Sequence, residues 1–80
     1  MEHDNDKIDD AVLALLSLTM FKDGPWATRA WKSHDWATMD RLHAKGFIDD
    51  PKGKAKSVVM TAEGIERSRE LFDRLFARQT

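Results

Sequence analysis

The sequence predicts an α+β domain that is mainly helical: three main helices, one short helix and a two-stranded β-hairpin. Three observations predict it. Apolar residues recur at helical spacing over the stretches 6–20, 36–45 and 61–78. The β-branched pair Val58-Val59 closes a polar stretch that holds Pro51 and Gly53. Phe47 and Ile48 open that same stretch directly behind Gly46. From Met39 to Gly64 the chain therefore reads as helix, glycine stop, strand, basic turn, strand and helix start.

Helix one is predicted from Asp6 to about Met20. Asp6, Asp9 and Asp10 lie near its N-terminus, where the helix dipole favours anions. Ile8, Ala11, Val12, Leu15 and Leu18 follow i, i+3, i+4, i+7 spacing, and Leu13, Leu16 and Met20 make a second stripe beside them. So wide an apolar surface suits a central core helix or a dimer contact. Asp23-Gly24-Pro25 is a break. Trp26, Ala27, Ala30 and Trp31 have helical spacing, which predicts the short helix within Gly24–Ser33. Ser33-His34 leads to Asp35, the N-cap of helix two, which runs from Trp36 to about Lys45. Gly46 stops it where a left-handed residue is cheapest. Asp49 to Lys56 is turn chemistry between the strands Phe47-Ile48 and Ser57–Met60. Thr61 can cap helix three, whose stripe is Ile65, Leu71, Phe72, Leu75 and Phe76 and which ends near Arg78.

Eighty residues make one domain, 1–80, with 1–5 and 79–80 expected to fray. A chain this short buries only about 60% of its unfolded surface, so its core must be efficient or shared with a partner. The composition, 41% apolar and 34% charged, is that of a globular domain and not of a disordered segment. No apolar run approaches the ~20 residues that cross a bilayer, and the acidic start lacks the positive n-region of a signal peptide. A cytoplasmic location without a membrane partner is the simplest expectation. The chain has no cysteine, which excludes disulfides, thiolate chemistry and cysteine-based zinc sites.

Nothing in the sequence assembles catalysis. His3, His34 and His43 lack metal-ligand spacing. Asp9-Asp10 would point to different sides of a helix and Asp49-Asp50 flanks a turn, so neither is an acid–base pair. The serines lack a nucleophile-elbow context. Gly53 in PKGKAK does not complete a phosphate loop. The expectation is a non-enzymatic protein with no cofactor and no metal.

Charge is more informative in its distribution than in its sum. The net charge of −1 argues against a strong general affinity for nucleic acid. Residues 22–56, however, hold eight bases against five acids, a local excess of +3. Lys52, Lys54 and Lys56 alternate along the turn and second strand. With Arg41 and Lys45 they are the candidates for phosphate contact, and Thr38 is the candidate for a base edge. The plainer reading is a solvated hairpin whose lysines protect an edge strand. Trp26, Trp31 and Trp36, spaced by five, read as core anchors. Their alternative role is a stacking or ligand surface beside an apolar pocket.

The order helix, basic hairpin, helix is the layout of a winged helix-turn-helix. The residues carry that resemblance further. Bacterial winged-helix regulators of the MarR and PadR kinds show L-x-x-L-x-x-K-G-L-[IV] and then a hairpin ending in L-T-x-x-G. Met39-Asp-Arg-Leu42-His-Ala-Lys45-Gly46-Phe47-Ile48 is similar to the first, and Val59-Met60-Thr61-Ala-Glu-Gly64 to the second. Nearly the whole chain also resembles a small uncharacterised bacterial family with a helix like KIDDAVLALL, then AWK-x-x-DW, DRLH-x-KG and GKAKSVV. The first resemblance implies a winged-helix-like fold and a transcriptional regulator that binds double-stranded DNA, as a homodimer through the first and last helices. The alternative is a protein-interaction module that keeps this fold without binding DNA. Its support is the near-zero net charge, the abbreviated second helix and the wide apolar faces.

Overall fold

A computed structural model of the chain describes residues 2–32 and 35–78. Its core is built on α1 (Asn5–Leu16), which buries Leu13, Ala14 and Leu16. Asp4 caps this helix, its carboxylate accepting from the amides of Asp6 (3.0 Å) and Lys7 (3.1 Å). The helix ends four residues before the predicted Met20, because Ser17–Thr19 tighten into a 3₁₀ turn. Thr19 supplies the reason. Its hydroxyl donates back to the Leu16 carbonyl (3.3 Å) and accepts from the Trp31 amide (3.1 Å), which binds the turn to a strand instead of continuing the helix.

That strand replaces the predicted short helix. β1 (Phe21–Asp23), β2 (Ala27–Trp31) and β3 (Ser57–Met60) form an antiparallel sheet in the order β1-β2-β3. Gly24, at φ +69°, lets the chain reverse between Asp23 and Ala27, which are paired across the turn. Trp26, Ala27, Ala30 and Trp31 fit a helical period, but the residues from Thr28 to Trp31 also fit a strand. Pairing with β3 decides between the two. Ala30 faces Val58 and Thr28 faces Met60 on the core side, while Arg29 and Trp31 pair with Val59 and Ser57 on the outer side.

The predicted two-stranded hairpin is corrected in the same way. Phe47-Ile48 contributes only a single bridge, Ile48 to Met60, along the free edge of β3. Two bonds make that bridge, from the Asp49 amide to the Val59 carbonyl (2.9 Å) and from the Thr61 amide to the Phe47 carbonyl (3.1 Å). Two residues on, Pro51 has no N–H to extend a ladder, and the chain turns away with the Asp50 carboxylate accepting from the Lys52 amide (2.9 Å). β3 therefore takes its main partner from β2.

The other predicted elements stand where local chemistry put them. α2 (Trp36–Ala44) is capped by Asp35, which accepts from the Thr38 amide (3.2 Å). It ends in a Schellman motif at Gly46, φ +84°. There the Phe47 amide donates to the Leu42 carbonyl (3.1 Å) and the Gly46 amide to that of His43 (3.0 Å). α3 (Ala62–Phe76) is capped by Thr61, which accepts from the Gly64 amide (2.9 Å) and donates to the Gly46 carbonyl (2.7 Å). Gly64 lies so close to the Phe47 carbonyl that any Cβ there would collide with it. Ser68, fully buried, donates to the Leu13 carbonyl (2.6 Å) and locks α3 onto α1. Met39, Leu42, Ile48, Val58, Met60 and Leu71 complete the core. Among the described residues no helix is long and apolar enough to cross a membrane. The expected fraying of residues 1, 79 and 80, the part of the short helix at Ser33, and His34 all fall outside the described residues.

Candidate functional site

The five candidate phosphate-binding cations separate into two groups. Arg41 on α2 and Lys45 at its C-cap, four residues apart, both point at α1. They close on the carboxylate of Asp9, which is 1% exposed. Arg41 donates to it through Nε at 2.8 and 3.0 Å and through the guanidinium fork at 2.8 Å. Lys45 Nζ lies 2.8 Å from its other side and also reaches Asp6 at 3.0 Å. Burial pushes the Asp9 carboxyl up, but the hydrogen bonds and charges of Arg41 and Lys45 outweigh it and hold the group below the usual carboxylate range. The same hydrogen bonds push Arg41 and Lys45 upward. Thr38, the candidate base contact, is buried in this network. Its hydroxyl donates to Asp35 (3.3 Å) and accepts from Arg41 (3.1 Å). Asp9 is the hub that sequence reasoning missed. The signal was there: Asp9, Leu13 and Leu16 share one helical face, and that face is the buried one.

Lys52, Lys54 and Lys56 are different. All three are exposed on the loop that leads into β3, and none forms an ion pair among the described residues. The loop is fixed against the end of β2 at two points. The Lys32 amide donates to the Lys56 carbonyl (2.7 Å), and Lys32 Nζ donates to the carbonyl of Pro51 (2.6 Å) with Gly53 at 3.5 Å. Between the end of β2, the first turn of α2 and this loop lies a cavity of about 410 Å³. Met39 floors it, Trp31 and Trp36 wall it, and Lys32, Lys54 and Lys56 rim it. The Lys32 ammonium stands 6.0 Å from the centre of the Trp36 ring.

The tryptophans are not core anchors. Trp26 is 93% exposed, Trp36 61% and Trp31 48%. Trp26 tops the β1–β2 turn. Trp31 sits on the outer face of the sheet, where the diagonal neighbour Phe21 packs on it with ring centroids 5.6 Å apart. Trp36 follows the cap residue of α2, on the side turned from the core. Lys32 was the other omission, a residue whose role depends on a loop about twenty positions away.

The chain has relatives at the level of sequence. A family described as "Domain of unknown function (DUF6429)" matches residues 4–78. The chain belongs to this DUF6429 family. The "Uncharacterized protein y4hR" of Sinorhizobium fredii (strain NBRC 101917 / NGR234) is 60% identical over 78 residues, covering 98% of this chain and 100% of that protein. No solved structure matches the chain.

Proposed function

We propose that this chain is a non-enzymatic nucleic-acid-binding module, acting in the cytoplasm in regulation, and that its contact surface is the lysine-rimmed cleft and not α2. One observation carries the reading: Lys32, Lys54 and Lys56 line a cleft with two exposed indoles, Lys52 stands on the same loop, and none of the four has a carboxylate partner among the described residues. Unpaired cations beside aromatic faces are the combination that holds a phosphate backbone and its bases. α2 is the weaker candidate. Arg41 and Lys45 are neutralised by Asp9, Thr38 is buried, and Trp36, Ala37, Asp40, His43 and Ala44 are what it exposes. The winged-helix relation is kept as part of the proposal. The run from α2 through the basic loop and β3 to α3 follows that layout, with the β1–β2 hairpin standing where such regulators carry a helix. The test is anisotropy of a labelled oligonucleotide at low and moderate salt. Binding should weaken with salt and be largely lost in the Lys52→Ala, Lys54→Ala, Lys56→Ala variant. Salt-sensitive binding that the triple variant retains would sink the assignment.

A protein-interaction module is the second reading, favoured by a separate feature. Leu75 and Phe76 are about half exposed at the end of α3, with the Phe72 and Phe76 rings 5.4 Å apart. A homodimer through α1 and α3 would cover them. Light scattering decides: a monomer mass at high protein concentration removes that dimer.

A further inference from the structure

We propose that the cleft between Trp31, Trp36 and the 53–56 loop seats an unpaired nucleobase with its phosphate, so that the module selects single-stranded over double-stranded nucleic acid. This inference rests on the nucleic-acid reading above and narrows it. Three features of the cleft point to it. Its volume, about 410 Å³, falls in the range of roughly 300–1,000 Å³ typical of small-molecule sites. A cleft of that size has room for a small planar group such as a nucleobase. Its walls are indoles that retain about half of their exposure, on a scaffold that fixes where they stand. Trp31 is held in β2 by pairing with Ser57 and packed by Phe21, and Trp36 follows the Asp35 cap. Its lining carries three cations, Lys32 from the end of β2 and Lys54 and Lys56 from the loop that the Lys32 ammonium touches.

The physical selection follows from which face of a base is free. In a duplex, the π-faces are covered by neighbouring base pairs, and only phosphates and groove edges are presented. An indole wall then has nothing to stack on, and the lysines alone contribute. In a single strand each base has a free face, and stacking on an aromatic side chain adds to the phosphate contacts with little regard to sequence. The Lys32 ammonium is already held by the Pro51 and Gly53 carbonyls beside the Trp36 ring, so a phosphate arriving there meets an ordered cation.

The experiment compares four probes at one salt concentration by anisotropy and tryptophan quenching. They are a short thymidine oligomer, the same length as a duplex, an abasic oligomer with phosphates but no bases, and free adenosine monophosphate. Each is measured on the full chain and on the Trp36→Leu variant, whose exposed site leaves the core untouched. The expected result is that the single strand binds at least about tenfold tighter than the duplex or the abasic strand. Trp36→Leu should remove about tenfold of that affinity, the magnitude of one lost stacking contact, and leave the salt dependence unchanged. If single-stranded, duplex and abasic probes bind alike in a salt-dependent way, and Trp36→Leu changes nothing, the base pocket is overturned while the phosphate reading stands. If no probe binds at low salt, both fall. Adenosine monophosphate bound as tightly as the oligomer would overturn the selection of a strand and assign the cleft to a free nucleotide.

Discussion

The chain carries two clusters of basic residues, and they behave as different materials. On α2 and its C-cap, Arg41 and Lys45 converge on one buried carboxylate, and the three side chains become a single element tying α2 to α1. On the 52–56 loop, lysines of the same formal charge meet no carboxylate among the described residues and stay in water, Lys54 and Lys56 beside exposed indoles. The difference teaches that basic residues in a small domain are not interchangeable evidence for an anionic partner. A cation that has a counter-charge within its own fold supports the fold. A cation left without one, next to aromatic surface, is available to something else.

The comparison can be broken most severely where the two regions share a frame. Gly64→Ala would drive a methyl group into the Phe47 carbonyl and force α3 away from the end of α2. Loss of cooperative unfolding by circular dichroism is the expected outcome, and a native melting curve would show that this contact is slack. Asp9→Ala comes next, since it strands Arg41 and Lys45 without their anion. It should cost about 3 kcal/mol, the lower end for breaking a buried pair, because both cations still reach water. In a domain this size that lowers the melting temperature by roughly 15 °C. By contrast, the triple alanine variant at Lys52, Lys54 and Lys56 should stay within about 0.5 kcal/mol of the parent while losing oligonucleotide binding. A triple variant as unstable as Asp9→Ala would erase the distinction between the clusters.

Acid titration sharpens it. The folded Asp9 carboxyl lies below its ordinary value of 3.8. Its contribution is therefore fully present above that pH, and is lost as pH falls through the depressed folded value. The parent should destabilise in that window, and Asp9→Asn should flatten this part of the acid limb while lowering stability at neutral pH. Equal acid limbs in the two chains would mean that the carboxylate is not held by its cations.

How much of this was legible follows from the range of the forces involved. Asp35, Gly46 and Thr61 announced the ends of α2 and the start of α3, because caps and left-handed stops are settled by neighbours within a turn. β2 was not legible. Trp26, Ala27, Ala30 and Trp31 satisfy the helical period, and the strand is chosen by pairing with β3 and by the bond from Arg29 to Ser57, 28 positions away. The site failed for a similar reason. Arg41 and Lys45 look available until Asp9, 32 and 36 positions earlier, is brought beside them. The tryptophans look like core until the sheet turns Trp31 outward and the cap turns Trp36 outward. The stacking surface, weighed as the alternative to a core role, fits their exposure. Lys52, Lys54 and Lys56 were readable because a polar loop with proline and glycine is exposed under almost any fold.

The most direct test of the account is the salt dependence of oligonucleotide affinity, measured for the parent chain and for the Lys52→Ala, Lys54→Ala, Lys56→Ala variant. For single strands the slope of log affinity against log salt is about −0.7 per phosphate neutralised, so removing three contacts should shallow it by roughly two. That result would place the anion-binding charge on the loop that borders the cleft. An unchanged slope, or no binding by the parent at low salt, would contradict it.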